Sequence, residues 1–236
     1  MSADVSITKE NLDTLLKELA KEFRKLNGTK TPAEIILVGG AAVIANYGFR
    51  ELTNDIDAMI IASSAMKEAA NRVGDRLGLP NGWLNIDFNR TKSFSEKLLL
   101  VSKYYKTFSN ILQIRTIAAE YLIAMKLMSG REYKYDLSDI AGILLSHDRE
   151  GSPISKESID NAIIELYGGW DEVPGESQKV LNALFAGGNY TRAYSELRER
   201  EIESKEILLE FDKVYPGELD GEKIGEIIKR AKQMKK

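Results

Sequence analysis

Residues 33–38, AEIILV, form a short apolar run rich in β-branched side chains, and it stops at two glycines, Gly39 and Gly40. Such a run reads as a buried strand whose chain then turns through a backbone free of side chains. Residues 41–49 are small and helix-prone up to Gly48. A second run, DIDAMIIA at 55–62, follows. Side chains alternate along a strand, so Asp55, Asp57 and Met59 share one face and Ile56, Ala58 and Ile60 the other. Strand, glycine turn, helix and a second strand that opens on two carboxylates commit this part of the chain to a sheet covered by helices.

The flanking sequence extends that plan. Leu12, Leu15, Leu16, Leu19, Phe23 and Leu26 recur at three- and four-residue steps, which predicts an amphipathic helix from Thr8 to Leu26 stopped by Gly28. Ser63 or Ser64 is placed to cap another helix that runs to about Leu77. WLNIDFNRTKSF is ambiguous between strand and loop, and NILQIRTI is the clearest later strand. AAEYLIAMKLMSG predicts a helix closed by Gly130, and YDLSDIAGILLSH a second one carrying Asp136 and Asp139 at neighbouring helical positions. From residue 150 onward the segments read as helices and turns. The expected fold is α/β (α+β), a mixed sheet flanked by helices with a mainly helical C-terminal half, divided into a core domain at 1–149 and a helical domain at 150–236.

Composition removes several chemistries. The 236 residues include no cysteine, which excludes disulfides, thiolate catalysis and cysteine-held zinc or iron–sulfur clusters. The one histidine, His147, cannot build a histidine-rich metal site, and it sits where an apolar helix gives way to charge, as a surface residue would. A formal net charge of -3 provides no global field for nucleic acid. No apolar run reaches membrane-spanning length and the first residues lack a secretory pattern, so the expectation is a cytoplasmic protein with no membrane partner.

Glycines between a strand and a helix let backbone approach a ligand, and the helix start offers unpaired N–H groups to phosphate. Turn glycines are also common without any ligand. No Gly-Lys-Ser/Thr follows and the three-glycine spacing of a dinucleotide fold is missing, so this is neither familiar phosphate loop. The Asp-x-Asp pair asks for more explanation. Two like charges a few ångströms apart repel unless a cation lies between them, and magnesium accepts carboxylates together with substrate phosphates and retained water. The alternative is that Asp55 caps the strand start while Asp57 faces solvent.

Taken together, Gly39, Gly40, Asp55 and Asp57, with Arg50 and Thr53 in the order R-x-x-T-x-D-I-D, resemble the nucleotidyltransferase fold of the DNA polymerase β superfamily. The resemblance implies that the glycine pair and Thr53 lie beside a nucleoside triphosphate and that the two aspartates hold Mg2+. LIAMKLMSGREYKYDLSDIAGIL is similar to the segment after the core sheet in bacterial abortive-infection type nucleotidyltransferase toxins and their uncharacterised relatives. It implies that Lys126 and one or both of Asp136 and Asp139 belong to the active site, with Leu127 and Arg131 also at matching positions. Members of the superfamily usually carry a third carboxylate on a later strand. NILQIRTI has none, and Asp87 is the nearest candidate for a third metal ligand.

The expected activity is therefore Mg2+-dependent transfer of a nucleoside monophosphate from a nucleoside triphosphate to an acceptor. The resemblance implies tRNA or a protein as the acceptor and a cognate antitoxin as a partner. Two other readings stay open: a non-catalytic nucleotide- or partner-binding module, and an aminoglycoside-type enzyme acting on a small molecule. Arg90, Lys92, Lys97, Lys103 and Lys106, interleaved with aromatic residues, suit a nucleic-acid backbone or equally a solvated edge. SELREREIESKE, at 195–206, reads as a charged helix surface with no site implied, and Trp83 and Trp170 as packing residues.

Overall fold

The computed structural model describes residues 6–219 and 224–234. The remaining residues, among them part of the amino-terminal stretch read for targeting and the end of the basic tail KRAKQMKK, lie outside it. A two-residue strand, β1 (Ile7–Thr8), leads into α1 (Lys9–Asn27). Leu12, Leu15, Leu16, Leu19 and Phe23 of α1 are buried as their spacing requires, and Gly28, at φ 73°, ends the helix by donating its amide to Arg24 O at 3.0 Å. Then come β2 (Ala33–Leu37), α2 (Gly39–Asn46), β3 (Leu52–Thr53), β4 (Ile56–Ile61) and α3 (Ala65–Leu77).

Two details differ from the sequence reading. The glycines do not precede the helix; they form its first turn. Gly39 takes φ 54°, which bends the chain from β2 directly into α2, so the helix begins and ends two residues early. Ser64 does precede α3 but its side chain caps nothing, while Ser63 Oγ donates to Asn27 Oδ1 at 2.7 Å.

The ambiguous stretch after α3 becomes β5 (Leu84–Asn85) and a 3-10 turn at Asp87–Arg90. β6 (Ser102–Phe108) and β7 (Leu112–Ile117) form an antiparallel hairpin. Its turn uses Ser109 and Asn110, both at positive φ, with Ile111 N donating to Phe108 O at 3.1 Å. The sheet order is β5-β4-β2-β7-β6, with β2 antiparallel to β4 and parallel to β7. β2 therefore lies at the centre, which is why Ile35, Ile36 and Leu37 are fully buried.

α4 (Ala119–Ser129) and α5 (Asp136–Arg149) follow, then α6 (Lys156–Tyr167), α7 (Gly175–Gly187), α8 (Tyr190–Val214) and α9 (Ile224–Met234). The fold is a mixed five-stranded sheet flanked by helices, with a helical C-terminal half. One contiguous apolar core runs from Ile7 to Leu197 and takes in Ile159, Ile163, Leu181 and Leu184 across residue 150. Trp83 is a packing residue, 3% exposed, with its Nε1 donating to Ala70 O at 3.0 Å, and Trp170 packs half-buried on the core. Among the described residues no helix is long and apolar enough to cross a membrane.

His147 is half-buried in the last turn of α5, with Nε2 3.2 Å from Tyr47 Oη. In the basic stretch, Lys106 is paired with Asp13 at 2.6 Å and Lys97 donates to Glu165 O at 2.6 Å.

Candidate nucleotide site

At the end of β2 the chain turns into α2, and β4 runs antiparallel beside it. Those two facts bring Gly39 and Asp57 together: a Cβ added to Gly39 would lie 3.4 Å from Asp57 Oδ2. β4 begins at Ile56, so Asp55 sits just before the strand and Asp57 within it, and both are half-buried. Both line a cavity of about 220 Å³ with Val38, Gly39, Asp87, Lys126 and Arg131, and a second of about 390 Å³ with Gly40, Thr53, Tyr135 and Lys205.

Asn85 of β5 donates from Nδ2 to Asp55 Oδ2 at 3.4 Å. Burial, and then the charge of Asp55, raise the pKa of Asp57 above the ordinary carboxylate range, against smaller opposing effects from Arg131, Lys134 and Asn85. Carboxylates whose charge is under-compensated by the protein are what a divalent cation needs. Asp57, with the Asp55 carboxylate lining the same cavity, fits magnesium on that ground. Asp87 opens the 3-10 turn, is exposed, and lines the smaller cavity with the pair. Among the described residues no three acidic or histidine side chains converge closely enough to share a metal ion, so Asp87 does not complete a three-carboxylate cluster with Asp55 and Asp57.

A buried ion network backs this wall. Lys126, 4% exposed in the last turn of α4, donates to Asp136 Oδ1 at 2.9 Å and lies 2.8 Å from Asp139 Oδ2. Arg131 Nε and its own backbone amide reach Asp136 Oδ2 at 2.9 and 3.2 Å. Burial alone would push Asp136 up, but Lys126 and Arg131 outweigh it and hold its carboxyl far below the usual range. Asp139 is fully buried; besides Lys126 it binds Arg50 Nη1 and, at 3.3 Å, Arg198 Nη2. It lines neither cavity. Asp139 thus holds cations in place, whereas Lys126 and Asp136 reach the cavity surface.

Arg50 explains Gly40. Its guanidinium passes directly over the glycine on the way to Asp139, so a methyl at position 40 would fall 2.8 Å from Arg50 Nη2 and 2.7 Å from Thr53 Oγ1. Gly40→Ala is expected to cost about 1–3 kcal/mol by overpacking, measured as a shift in the urea midpoint at unchanged m-value.

Several site residues escaped the sequence reading. Asn85 and Lys134 left no signal beyond their neighbourhood. α8 did leave one: Tyr194, Arg198, Glu201 and Lys205 are spaced 4, 3 and 4 apart, one stripe of a helix. The charged surface expected at 195–206 is in part an interior, because Arg198 is 17% exposed at its side chain and Glu201 only 2% exposed. Glu201 accepts the backbone amide of Leu137 at 2.9 Å and that of Ser138 at 3.4 Å. Burial pushes its carboxyl up to about 7, against the lowering effect of those two donors, and Asp139 adds to the rise.

No curated protein and no solved structure matches the chain. A family model described as nucleotidyltransferase of unknown function (DUF6036) matches residues 14–150. That span holds Gly39, Gly40, Thr53, Asp55, Asp57, Asp87, Lys126, Asp136 and Asp139, and it covers more than half of the chain. The chain accordingly belongs to this DUF6036 family of nucleotidyltransferases.

Proposed function

We propose that the protein transfers a nucleoside monophosphate from a nucleoside triphosphate to an acceptor nucleophile, with release of pyrophosphate and dependence on Mg2+. The observation that carries this reading is the convergence of Asp55, Asp57, the α2 start at Gly39, Lys126 and Arg131 on one cavity. Asp55 and Asp57 would hold the magnesium, which when bound offsets phosphate charge. The first-turn amides of α2 have no acceptor within the helix and suit phosphate oxygens. Lys126, fixed by two carboxylates, presents a cation to the triphosphate without having to reorganise, and Arg131 and Lys134 extend that field along the wall. The acceptor oxygen attacks the α-phosphorus as the bond to pyrophosphate breaks, so the demands on the protein are positioning and charge.

By the resemblance to abortive-infection toxins, the acceptor is RNA, tRNA in particular, or a protein, and a cognate antitoxin would be its partner. Incubation with each α-labelled nucleoside triphosphate, Mg2+ and total RNA or lysate tests this. Label in RNA or protein that disappears in an Asp55→Ala, Asp57→Ala double variant is the expected result. Label in a small molecule would instead indicate the aminoglycoside type. One observation favours a second reading, a module that binds nucleotide without turnover: the described residues supply no third carboxylate to the Asp55–Asp57 pair. Magnesium-dependent nucleotide binding with no transfer to any fraction would establish that reading.

A further inference from the structure

The first turn of α5 carries both aspartates that hold Lys126, yet nothing local caps it. Tyr135, at the N-cap position, lies in the left-handed region at φ 64° and its side chain bonds no helix amide. Asp136 could serve from the first turn, but its carboxylate is taken by Lys126 and Arg131. A buried helix start without partners would be costly. The partner comes from 64 residues further along the chain: Glu201 of α8, which binds the amides of Leu137 and Ser138. One helical turn earlier on the same face, Arg198 binds Asp139 Oδ1 and stacks on Tyr135 at 4.2 Å from its ring centroid. One turn later, Lys205 lies 5.7 Å from that ring and lines the larger cavity.

We propose that α8, which lies beyond the segment shared with the family, is an integral part of the site: Glu201 and Arg198 are positioning residues that fix the first turn of α5 and thereby hold Lys126 in the cleft. Glu201 acts on backbone and Arg198 on a side chain, so the turn is gripped at two independent points. A carboxylate at a helix start is favourable for charge, and its burial here against backbone donors makes the contact directional. The same helix also forms the cavity wall through Lys205, Leu208, Leu209 and Asp212. The inference rests on the reading of this cleft as a nucleotide site, and its test separates the two.

The full chain and its Glu201→Ala, Glu201→Gln and Arg198→Met variants are compared by amide hydrogen exchange over residues 136–140 and by acetylation of Lys126 read by mass spectrometry, with and without Mg2+ and ATP. Glu201→Ala is expected to speed exchange of the Leu137 and Ser138 amides by roughly 10- to 100-fold, because it removes their acceptor. Lys126, normally shielded, should then acetylate at least about tenfold faster. Glutamine keeps both the shape of the side chain and an acceptor oxygen and should stay within about threefold of wild type on both readouts. Faster amide exchange with unchanged Lys126 acetylation would make Glu201 a simple helix cap and overturn the proposal. Arg198→Met keeps an unbranched stem, so it decides the matter should Glu201→Ala fail to fold: at least about threefold faster acetylation supports positioning, and wild-type acetylation overturns it. Failure of Mg2+ and ATP to raise the melting temperature of the wild type would count against the nucleotide site itself, while the comparison among variants still decides the positioning.

Discussion

Asp139→Ala is expected to lose about 3–5 kcal/mol in urea denaturation. Asp139 is fully enclosed and binds three cations from three parts of the chain: Arg50 from the loop after α2, Lys126 from α4 and Arg198 from α8. Their side chains are 9%, 4% and 17% exposed. Removing the one anion they share leaves Arg50 without its carboxylate and Lys126 with only Asp136, in surroundings where water cannot replace the lost partner. Glu18 supplies the contrast. It pairs with Lys21 at 2.6 Å and Arg76 at 2.9 Å, but those partners are 49% and 42% exposed. Glu18→Ala should therefore cost under about 1 kcal/mol although its contacts are also close. A loss at Asp139 no greater than that at Glu18 would mean that the buried network contributes no more than surface pairs do.

The elements of the site were legible in the sequence where apolar periodicity or a breaker marked them. β2 and β4 announced themselves as apolar runs, the glycine pair marked the junction of strand and helix although it lies inside the first turn of α2, and Gly28 and Gly130 stopped their helices where expected. The hairpin of β6 and β7 was harder to see because its turn is Ser109-Asn110, which adopts positive φ without the glycine that signals such turns. Lys126, Asp136 and Asp139 came from resemblance, and their division of labour, with Asp139 buried as an anchor and Lys126 at the cavity, came only from the fold.

The α8 stripe was illegible for a different reason. Pattern separates apolar from polar positions, but a polar stripe reads the same whether it faces water or a buried network. Arg198 and Glu201 are distinguished from Glu196 and Arg192 by partners 59 to 64 residues away, and no window along the sequence contains both. The buried glutamate illustrates what such a contact costs, since burial raises its pKa to about 7. The fold keeps it where it holds the backbone behind Lys126.

Asp57→Asn should separate the chemistry of the cleft from its stability. Asparagine keeps the shape of the side chain and removes a charge that burial and the neighbouring Asp55 disfavour. If the cleft works as proposed, transfer activity should fall on the order of 1,000-fold or more, because the several kcal/mol that a bound metal would contribute to the transition state would need both carboxylates. The folded protein without metal should be at least as stable as wild type. The sign follows from the direction of the shift: a carboxyl whose pKa is raised on folding contributes stability below its unfolded pKa and loses it as pH rises through the folded one. The advantage of asparagine should therefore grow as pH climbs above the ordinary carboxylate range and flatten once Asp57 is fully ionised. Mg2+ with a nucleoside triphosphate should raise the melting temperature of the wild type and leave that of the variant unmoved, since a ligand raises the midpoint only by binding the folded state in preference to the unfolded one. Thermal melts at several pH values, with and without Mg2+ and nucleotide, test each part. A variant that is destabilised at every pH, and still stabilised by Mg2+ and nucleotide, would show that Asp57 supports the strand rather than the metal.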